Sequence, residues 1–279
     1  MRPEATELLA CVFCGSPVRT DGMMLTCRSR HSFDVARQGY VSMLAGDAHV
    51  GTADSAAMVD ARAAFFDTGH FSPLSSAIAQ AAVHAAEGVA GCVVDAGAGT
   101  GHHLAAALAQ LPGRTGVALD LSKHAARRAA RMDPRIASVV CDTWRRLPVR
   151  DGAAAVVLDV FAPRNPVEFD RILAKGGGLV VVTPNPSHLS EIIGPLGLVS
   201  VDERKGERLE DALHGLFEPV EEVRVEYPIE PRPDEIIALA SMGPSAHHVA
   251  EQELAARAAN LPERMSVTIS ARVARYRAR

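Results

Sequence analysis

The chain has few aromatic residues and no long apolar segment. Phe, Trp and Tyr make up 4% of its 279 residues, and there is a single tryptophan. No apolar run reaches the roughly 18 residues that a membrane-spanning helix needs, and the first residues lack the basic and apolar regions of a secretion signal. We therefore expect a cytoplasmic protein without a membrane partner.

A strong excess of either charge is also missing. The formal net charge is −4, so no uniform positive field identifies a nucleic-acid partner. Arginines are nevertheless clustered along the chain, where each cluster is either a phosphate contact or a solvated basic surface. The clusters are Arg19, Arg28, Arg30 and Arg37; Arg127, Arg128 and Arg131; Arg145 and Arg146; and Arg264, Arg272, Arg275, Arg277 and Arg279.

Aliphatic residues, in contrast, are abundant and follow an alternating pattern. Apolar runs predict strands, and segments with helical periodicity lie between several of them. Such alternation predicts an α/β fold, a Rossmann-like parallel sheet with helices on both faces. The predicted strands are 92–95, 115–120, 137–141, 153–161 and 178–183, with further strand-like segments at 220–227 and 266–276; helices are predicted over 53–66, 102–110 and 122–132.

Three of the five cysteines occur with a histidine in a compact pattern near the N-terminus. Cys11, Cys14, Cys27 and His31 have the spacing C-x2-C-x12-C-x3-H. Two closely spaced pairs can place four ligands around one tetrahedral Zn²⁺, and four protein ligands leave no open position. The pattern predicts a structural zinc module. That module either stabilises a short segment or also presents its arginines to a partner.

A glycine-rich loop follows the first predicted strand of the α/β region. It contains Asp95, Gly97, Gly99, Thr100 and Gly101. A dinucleotide-binding loop has the spacing G-x-G-x-x-G and receives a pyrophosphate, which a preceding carboxylate would repel. The same carboxylate suits the ammonium of a methionine moiety, so the loop predicts S-adenosylmethionine. A Rossmann-like domain that uses another nucleotide is the alternative.

Two further acids lie at the ends of predicted strands. Asp120 follows Gly101 by nineteen residues, and Asp142 ends the next strand. Ligands of open α/β sheets bind at the carboxyl ends of the strands. We therefore predict that Asp120 accepts hydrogen bonds from ribose hydroxyls and that Asp142 meets the adenine edge.

Over almost its full length, the chain resembles the bacterial 23S ribosomal RNA guanine-N1-methyltransferases, particularly the branch associated with resistance to tylosin-type macrolides. The resemblance rests on the zinc ligands and the glycine-rich loop, together with further motifs. These are Phe33-Asp-Val-Ala-Arg-Gln-Gly-Tyr40, Met58-Val-Asp-Ala-Arg-Ala-Ala-Phe65, Asp67-Thr-Gly-His-Phe71-Ser-Pro-Leu74, Val160-Phe-Ala-Pro-Arg-Asn-Pro166, Thr183-Pro-Asn-Pro-Ser-His188 and Met242-Gly-Pro-Ser245.

The resemblance implies methylation of guanine N1 in a hairpin loop of 23S ribosomal RNA by a homodimer whose zinc module helps to recognise RNA. It also implies cofactor contacts at Phe71, in the loop 97–101 and at His188. Relatives carry tyrosine where this chain has Phe71, which can stack but cannot donate a hydrogen bond. Without the resemblance, Phe71 is explained equally well as an aromatic residue of the core, and His188 as a loop residue.

Guanine N1 carries a proton at neutral pH, so a group of the enzyme must accept that proton. The resemblance does not identify this group. Asp159, at the end of the fourth predicted strand of the α/β region, is our candidate general base; the alternatives are a surface acid and an acid that points into the helix layer. We divide the chain into a zinc module for RNA recognition at 1–40, a helical linker covering the cofactor site at 41–90 and a methyltransferase domain at 91–279. Two other functions remain open: a small-molecule methyltransferase with a structural zinc module, and a non-catalytic RNA-binding protein.

Overall fold

The computed structural model describes residues 3–48, 50–51, 53–200, 205–243, 249, 251–262 and 264–279. Pro244 and Ser245 of the last motif above lie outside the described residues. The helices are α1 Pro3–Thr6, α2 Ala56–Asp67, α3 Ser72–Ala85, α4 His102–Gln110, α5 Lys123–Met132, α6 Pro166–Ile172, α7 Ser190–Leu196, α8 Lys205–Leu213, α9 Pro233–Ser241 and α10 Glu251–Ala258. The strands are β1 Val18–Thr20, β2 Met24–Cys27, β3 Ser32–Asp34, β4 Tyr40–Ser42, β5 Cys92–Ala96, β6 Gly116–Asp120, β7 Ile136–Val140, β8 Ala154–Val160, β9 Leu173–Pro184, β10 Phe217–Ile229 and β11 Val267–Ala278.

An eight-stranded sheet forms the centre of the fold, in the order β10-β11-β9-β8-β5-β6-β7-β4. Strands β4 to β9 pair in parallel, whereas β11 pairs antiparallel with both β9 and β10. Every residue of β5, β7 and β8 is buried, as in parallel sheets covered on both faces. The strand order reverses between β5 and β8, and this reversal opens a crevice at the carboxyl edge. The predicted α/β class is confirmed.

Two apolar layers cover the sheet. Helices α3, α4, α7, α9 and α10 contribute buried side chains to the core on one face. On the other face, α6 and α8 share the core with the N-terminal module, whose Val18, Leu25 and Phe33 join sheet residues such as Val94 and Val117. The zinc module therefore forms part of the layer that covers the sheet.

The module is a three-stranded antiparallel sheet, β1-β2-β3, fixed to the connection between β7 and β8. Ala10 N donates to Pro148 O at 3.1 Å, and Arg150 N donates to Leu8 O at 2.9 Å. Residues 141–153, all of them described, cross from β7 to β8 without a helix. The module lies where a crossover helix would otherwise cover the sheet.

The segment after the module departs in one respect from a purely helical linker. Helix α2 begins close to the predicted start because Ser55 caps it, accepting a hydrogen bond from Met58 N at 3.2 Å. However, Tyr40–Ser42 forms β4, which pairs in parallel with β7 as the edge strand. A strand of three residues is too short for its alternation to be recognised in the sequence. Among the described residues, no helix is long and apolar enough to cross a bilayer.

Candidate active site and zinc centre

Four side chains of the N-terminal module converge on one point. The sulfur atoms of Cys11, Cys14 and Cys27 and a ring nitrogen of His31 all lie within 4.8 Å of one another. His31 Nδ1 is 3.4 Å from Cys11 Sγ and 3.5 Å from Cys27 Sγ, and the sulfurs of Cys14 and Cys27 are 3.6 Å apart. Zn–S bonds of about 2.3 Å and a Zn–N bond of about 2.0 Å separate tetrahedral ligands by about 3.5–3.8 Å. The donor set fits zinc, and the predicted zinc centre is confirmed.

Two tight turns hold these ligands. In the first turn Gly15 N donates to Cys11 O at 2.8 Å, and in the second Arg30 N donates to Cys27 O at 2.9 Å. Gly15 and Arg30 both have a left-handed backbone, with φ of 68° and 63°. For arginine this conformation is uncommon, so the fixed position of the ligands around it must stabilise it.

The metal-free thiols differ in their readiness to ionise. Burial raises the pKa of Cys11 to about 11, whereas hydrogen bonding with Ser16 lowers the pKa of Cys14 to about 5. Zinc binds thiolates, so metal binding must remove the proton of Cys11. Four protein ligands leave no position for a substrate, which makes the centre structural.

The glycine-rich loop lies at the carboxyl end of β5. Gly97, with φ of 88°, passes so close to the next loop that a Cβ there would lie 2.5 Å from Ala162 Cβ. Gly99, with φ of 52°, lies beneath Arg62 of α2, whose Nη1 would be 2.9 Å from a Cβ at that position. The close contact favours glycine at position 97, and the left-handed backbone favours it at both positions, so the loop presents bare backbone at the crevice.

Asp95 is a buried carboxylate at the start of this loop. It is 2% exposed, and its Oδ1 atom has no hydrogen-bond partner among the described residues. Burial, and secondarily the charge of Asp120, raises the pKa of Asp95 to about 8. A buried carboxylate oxygen without a partner is unfavourable unless a ligand satisfies it. The ammonium group of S-adenosylmethionine fits this requirement.

Asp120 is oriented by the same loop. Its Oδ2 accepts a hydrogen bond from Gly99 N at 2.8 Å, and its Oδ1 accepts one from Ser122 N at 2.7 Å. Burial raises the pKa of Asp120, although both hydrogen bonds oppose that shift. A carboxylate has about four acceptor positions, so lone pairs remain for ribose hydroxyls. Its contact with the ribose stays a prediction.

Asp142 lies one loop further along the edge and is half-buried. Its Oδ1 accepts from Trp144 N at 3.0 Å, and its Oδ2 is 3.4 Å from Arg145 Nε. Cys141 N donates to Asp120 O at 2.9 Å, which places the two acids on adjoining strand ends. The predicted adenine contact of Asp142 also stays a prediction.

Phe71 and Thr100 are enclosed by neighbouring side chains. Phe71 is buried and makes edge contacts with Phe65 and Phe66, at centroid distances of 5.0 and 5.4 Å. Thr100 is buried, and its hydroxyl lies 2.7 Å from His102 Nδ1. Phe66 stacks on His102 at 4.3 Å, so these aromatic rings connect α2 to the glycine-rich loop. Phe71 and Thr100 are thus packed as core residues are. The cofactor contacts of Phe71, Thr100 and Gly101 stay predictions.

His188 lies beyond the end of β9. Its Nδ1 accepts a hydrogen bond from Ser270 N at 3.2 Å, so the neutral ring carries its proton on Nε2. Burial lowers the pKa of His188 to about 4, which keeps the ring neutral. The ring stacks on Phe161 at a centroid distance of 5.9 Å. Its cofactor contact stays a prediction.

Asp159 faces away from Asp95. Leu158 is in register with Asp95, so the next residue of β8 points to the opposite face of the sheet. Asp159 is 0% exposed, and its Oδ2 lies 3.2 Å from Arg164 Nε. Its role as general base stays a prediction, and the ion pair shows that it also orients the loop that carries Arg164.

Two site residues were not singled out in the sequence. Arg62 covers Gly99 and binds Asp54 Oδ2 at 2.7 Å and Met242 O at 2.8 Å. Phe161 follows β8 directly, has φ of 54° and is 38% exposed. Both lie within motifs of the family resemblance, but residue type alone does not mark them, because arginine in a helix and an aromatic residue after a strand are common.

The C-terminal arginines, in contrast, are paired with acids. Strand β11 lies antiparallel beside the acidic strand β10. Arg272 Nε is 2.7 Å from Glu222, and Arg275 is 2.8 Å from Glu221. These two C-terminal arginines are therefore neutralised within the sheet and are poor candidates for phosphate contacts.

A mainly parallel α/β sheet with a buried acid and a glycine-rich loop after β5, joined to a zinc module, defines an S-adenosylmethionine-dependent methyltransferase. Residues 9–47 match the zinc ribbon family described as the N-terminal part of RlmA. Over most of its length, moreover, the chain is similar to named enzymes.

The 23S rRNA (guanine(748)-N(1))-methyltransferase of Streptomyces fradiae is 46% identical, over 97% of this chain and 96% of that protein. A protein of Micromonospora griseorubida, provisionally named a 23S rRNA (guanine-N(1)-)-methyltransferase, is 45% identical over 99% of both chains. YxjB of Bacillus subtilis, with the same provisional name, is 34% identical over 67% of each. The chain belongs to the 23S rRNA (guanine-N1-)-methyltransferase family.

Proposed function

We propose that this protein transfers a methyl group from S-adenosylmethionine to N1 of a guanine in a hairpin loop of 23S ribosomal RNA. The observation that carries the proposal is identity of 46% to the Streptomyces fradiae enzyme over 97% of the chain, with the cofactor loop intact. An intact loop and a buried Asp95 oxygen that has no hydrogen-bond partner among the described residues favour an active enzyme over a non-catalytic RNA-binding protein.

The cofactor supplies a methyl group already activated by its sulfonium, so the protein has mainly to position the acceptor nitrogen in line. We assign Asp95 to the ammonium, Asp120 to the ribose and Asp142 to the adenine edge. The remaining contacts come from Phe71, Gly97, Gly99, Thr100, Gly101 and His188. Residues 41–90 cover this site, and the position of Arg62 against Gly99 supports that role.

Guanine N1 must lose its proton before it can attack. We propose Asp159 as the general base, since it is the penultimate residue of β8, the strand that pairs with β5 and its cofactor loop. Because its side chain is buried beside Arg164, this role requires the loop after β8 to move when the RNA binds.

RNA recognition is assigned to the zinc module, in which Arg19, Arg28 and Arg30 are exposed. Phe13 of the same module is 51% exposed, stacks on Phe33 and lies tilted against the zinc ligand His31, so it presents an aromatic surface beside the zinc centre. Phosphate contacts and aromatic surfaces are what single-stranded RNA loops require.

We also propose that the enzyme is a cytoplasmic homodimer and that it confers resistance to tylosin-type macrolides, as the resemblance implies. Sedimentation equilibrium at several protein concentrations tests the dimer, with a monomer mass as the contrary result. Expression in a macrolide-sensitive host should raise the inhibitory concentration of tylosin but not that of an antibiotic that binds elsewhere.

The decisive assay incubates unmodified 23S rRNA with the protein and labelled S-adenosylmethionine. A methyl group on N1 blocks the Watson–Crick edge, so reverse transcription should stop at one hairpin guanine. Transfer to a small acceptor without RNA would support the alternative enzyme class, and RNA binding without transfer would indicate a non-catalytic protein. Label at any other atom or base contradicts the proposal.

A further inference from the structure

Phe161 combines three features that do not usually occur together. It is a large aromatic residue, it is 38% exposed, and its backbone is left-handed with φ of 54°. For a bulky residue this conformation is a genuine outlier, which glycine would adopt without strain. The strain persists because the surroundings fix it: Phe161 N donates to Val182 O at 3.1 Å, and the following Ala162 packs against Gly97.

The position of the ring matters as much as its strain. Phe161 follows β8, and β8 neighbours β5, whose end carries the cofactor loop. The strand order reverses between these two strands, which is where open α/β sheets bind their ligands. An exposed ring here borders the crevice in which methyl donor and acceptor must meet.

His188 supports the ring from one side. The two rings stack at a centroid distance of 5.9 Å and an interplanar angle of 23°. The hydrogen bond from Ser270 N holds the imidazole in place. One face of Phe161 is thus directed towards a fixed neutral ring, and its exposed part remains available to a second planar group.

We propose that Phe161 is the platform on which the target guanine stacks when it is turned out of the RNA loop. This inference rests on the proposed function. Enzymes that modify a base must take it out of its stack, and bases of RNA loops are bound by stacking on aromatic side chains. The conformation of Phe161 holds the ring at the crevice, next to the strand that carries the cofactor loop.

The test measures how strongly the enzyme discriminates between two hairpins, one with the target guanine and one with an abasic site in its place. Stacking of one base is worth about 5- to 150-fold in affinity. Wild-type enzyme should bind the guanine hairpin more tightly by a ratio in that range. Phe161→Leu keeps an apolar side chain but has no aromatic face, so the ratio should fall towards one, whereas Phe161→Tyr should retain it.

Trp144→Leu is the matched control, because Trp144 is an exposed aromatic residue on a different loop. It should leave the ratio unchanged even if overall RNA affinity falls. An unchanged ratio in Phe161→Leu overturns the inference, as does a loss of S-adenosylmethionine affinity without a change in the ratio. If wild-type enzyme methylates no RNA at all, the proposed function has failed rather than the stacking platform alone.

A second measurement needs no variant and so does not depend on the folding of Phe161→Leu. A hairpin with 6-thioguanosine at the target position is irradiated in complex with wild-type enzyme, and the cross-linked peptide is identified by mass spectrometry. Cross-linking to Phe161 or Ala162 is expected. Cross-linking confined to another part of the chain contradicts the proposal.

Discussion

The zinc centre and the cofactor edge of the sheet differ in how complete they are. At the zinc centre, three sulfurs and one nitrogen already lie within 4.8 Å of one another. At the cofactor edge, Asp95 has an oxygen without a partner in the part of the chain that the structure describes, and Phe161 has a strained backbone. In the structural site, the metal alone satisfies all the ligand atoms. The reactive site, in contrast, retains unsatisfied groups for ligands that bind and dissociate.

The largest effect should come from the zinc centre. Cys14→Ala removes one of four ligands from a module that covers one face of the sheet. We expect loss of zinc and a decrease in the free energy of unfolding of at least about 4 kcal/mol. Metal analysis and thermal unfolding measure both.

Cys92→Ala is the control, since Cys92 is a buried cysteine of β5 that does not belong to the ligand set. It should retain zinc and cost about 1 kcal/mol. Equal decreases in the free energy of unfolding of the two variants would mean that the module contributes no more to the stability of the fold than an ordinary buried side chain.

The next largest effect tests chemistry at the cofactor edge. If Asp159 is the general base, Asp159→Asn should lower the rate of methyl transfer by about 100- to 10,000-fold and remove the fall in rate at acid pH. Single-turnover rates across pH measure this, with cofactor affinity as the check on binding. A full rate at every pH would exclude Asp159 as the base.

Asp95→Asn should act on the cofactor and not on the fold. Loss of a charged hydrogen bond should weaken S-adenosylmethionine binding about 10- to 150-fold. In the wild type, the pKa of Asp95 is raised from 3.8 to about 8, so the folded state holds an extra proton between those pH values. Stability of the cofactor-free protein should therefore fall as pH rises through that window and level off above it.

The same substitution should abolish this pH slope, which unfolding at several pH values would reveal. Cofactor binding at pH 7 should also release a proton from the wild type, because a nearby cation favours the carboxylate. Calorimetry in buffers of different ionisation enthalpy detects that proton. A variant that binds the cofactor normally and keeps the slope would show that Asp95 does not face the ligand.

A smaller effect should follow from adding a methyl group to the loop. Gly97→Ala would place Cβ 2.5 Å from Ala162 Cβ at a φ of 88°, so we expect a destabilisation of about 1–3 kcal/mol. Gly88→Ala has φ of 70° but meets nothing within 4 Å, and it isolates the backbone contribution. If both variants lose the same stability, close packing between the two loops contributes nothing.

The smallest effect is expected at the protein surface. Asp47 and Arg145 form an exposed ion pair at 2.8 Å that joins the segment after β4 to the loop after Asp142. Exposed pairs contribute little and are screened by salt. Asp47→Asn should leave the melting temperature unchanged within error at moderate salt. A clear decrease in melting temperature that persists at high salt would make this contact part of the cofactor site.

Sequence patterns predicted best what depends on neighbours in the chain. The zinc ligands follow from spacing over twenty-one residues, and helix 102–110 matches α4 because Gly101 marks its start. Strand β9 begins earlier than predicted, at Leu173, because pairing with β8 overrides the low strand propensity of three consecutive glycines.

Features created by tertiary contacts could not be predicted in this way. Three such features join residues that are far apart in the sequence or belong to no recognisable pattern. They are the packing of the zinc module on the sheet, the ion pair of Asp159 and the stack of Phe161 on His188. Backbone strain at Phe161 has no signature, since any residue type can be forced into it by its surroundings.

Hydrogen exchange of the zinc-loaded protein, with and without S-adenosylhomocysteine, tests the contrast between the two sites most directly. Protection should increase in residues 95–101, 119–122 and 185–189, while exchange in the zinc module at 11–31 stays the same. Protection confined to the zinc module, or no change at the carboxyl edge of the sheet, would contradict this account.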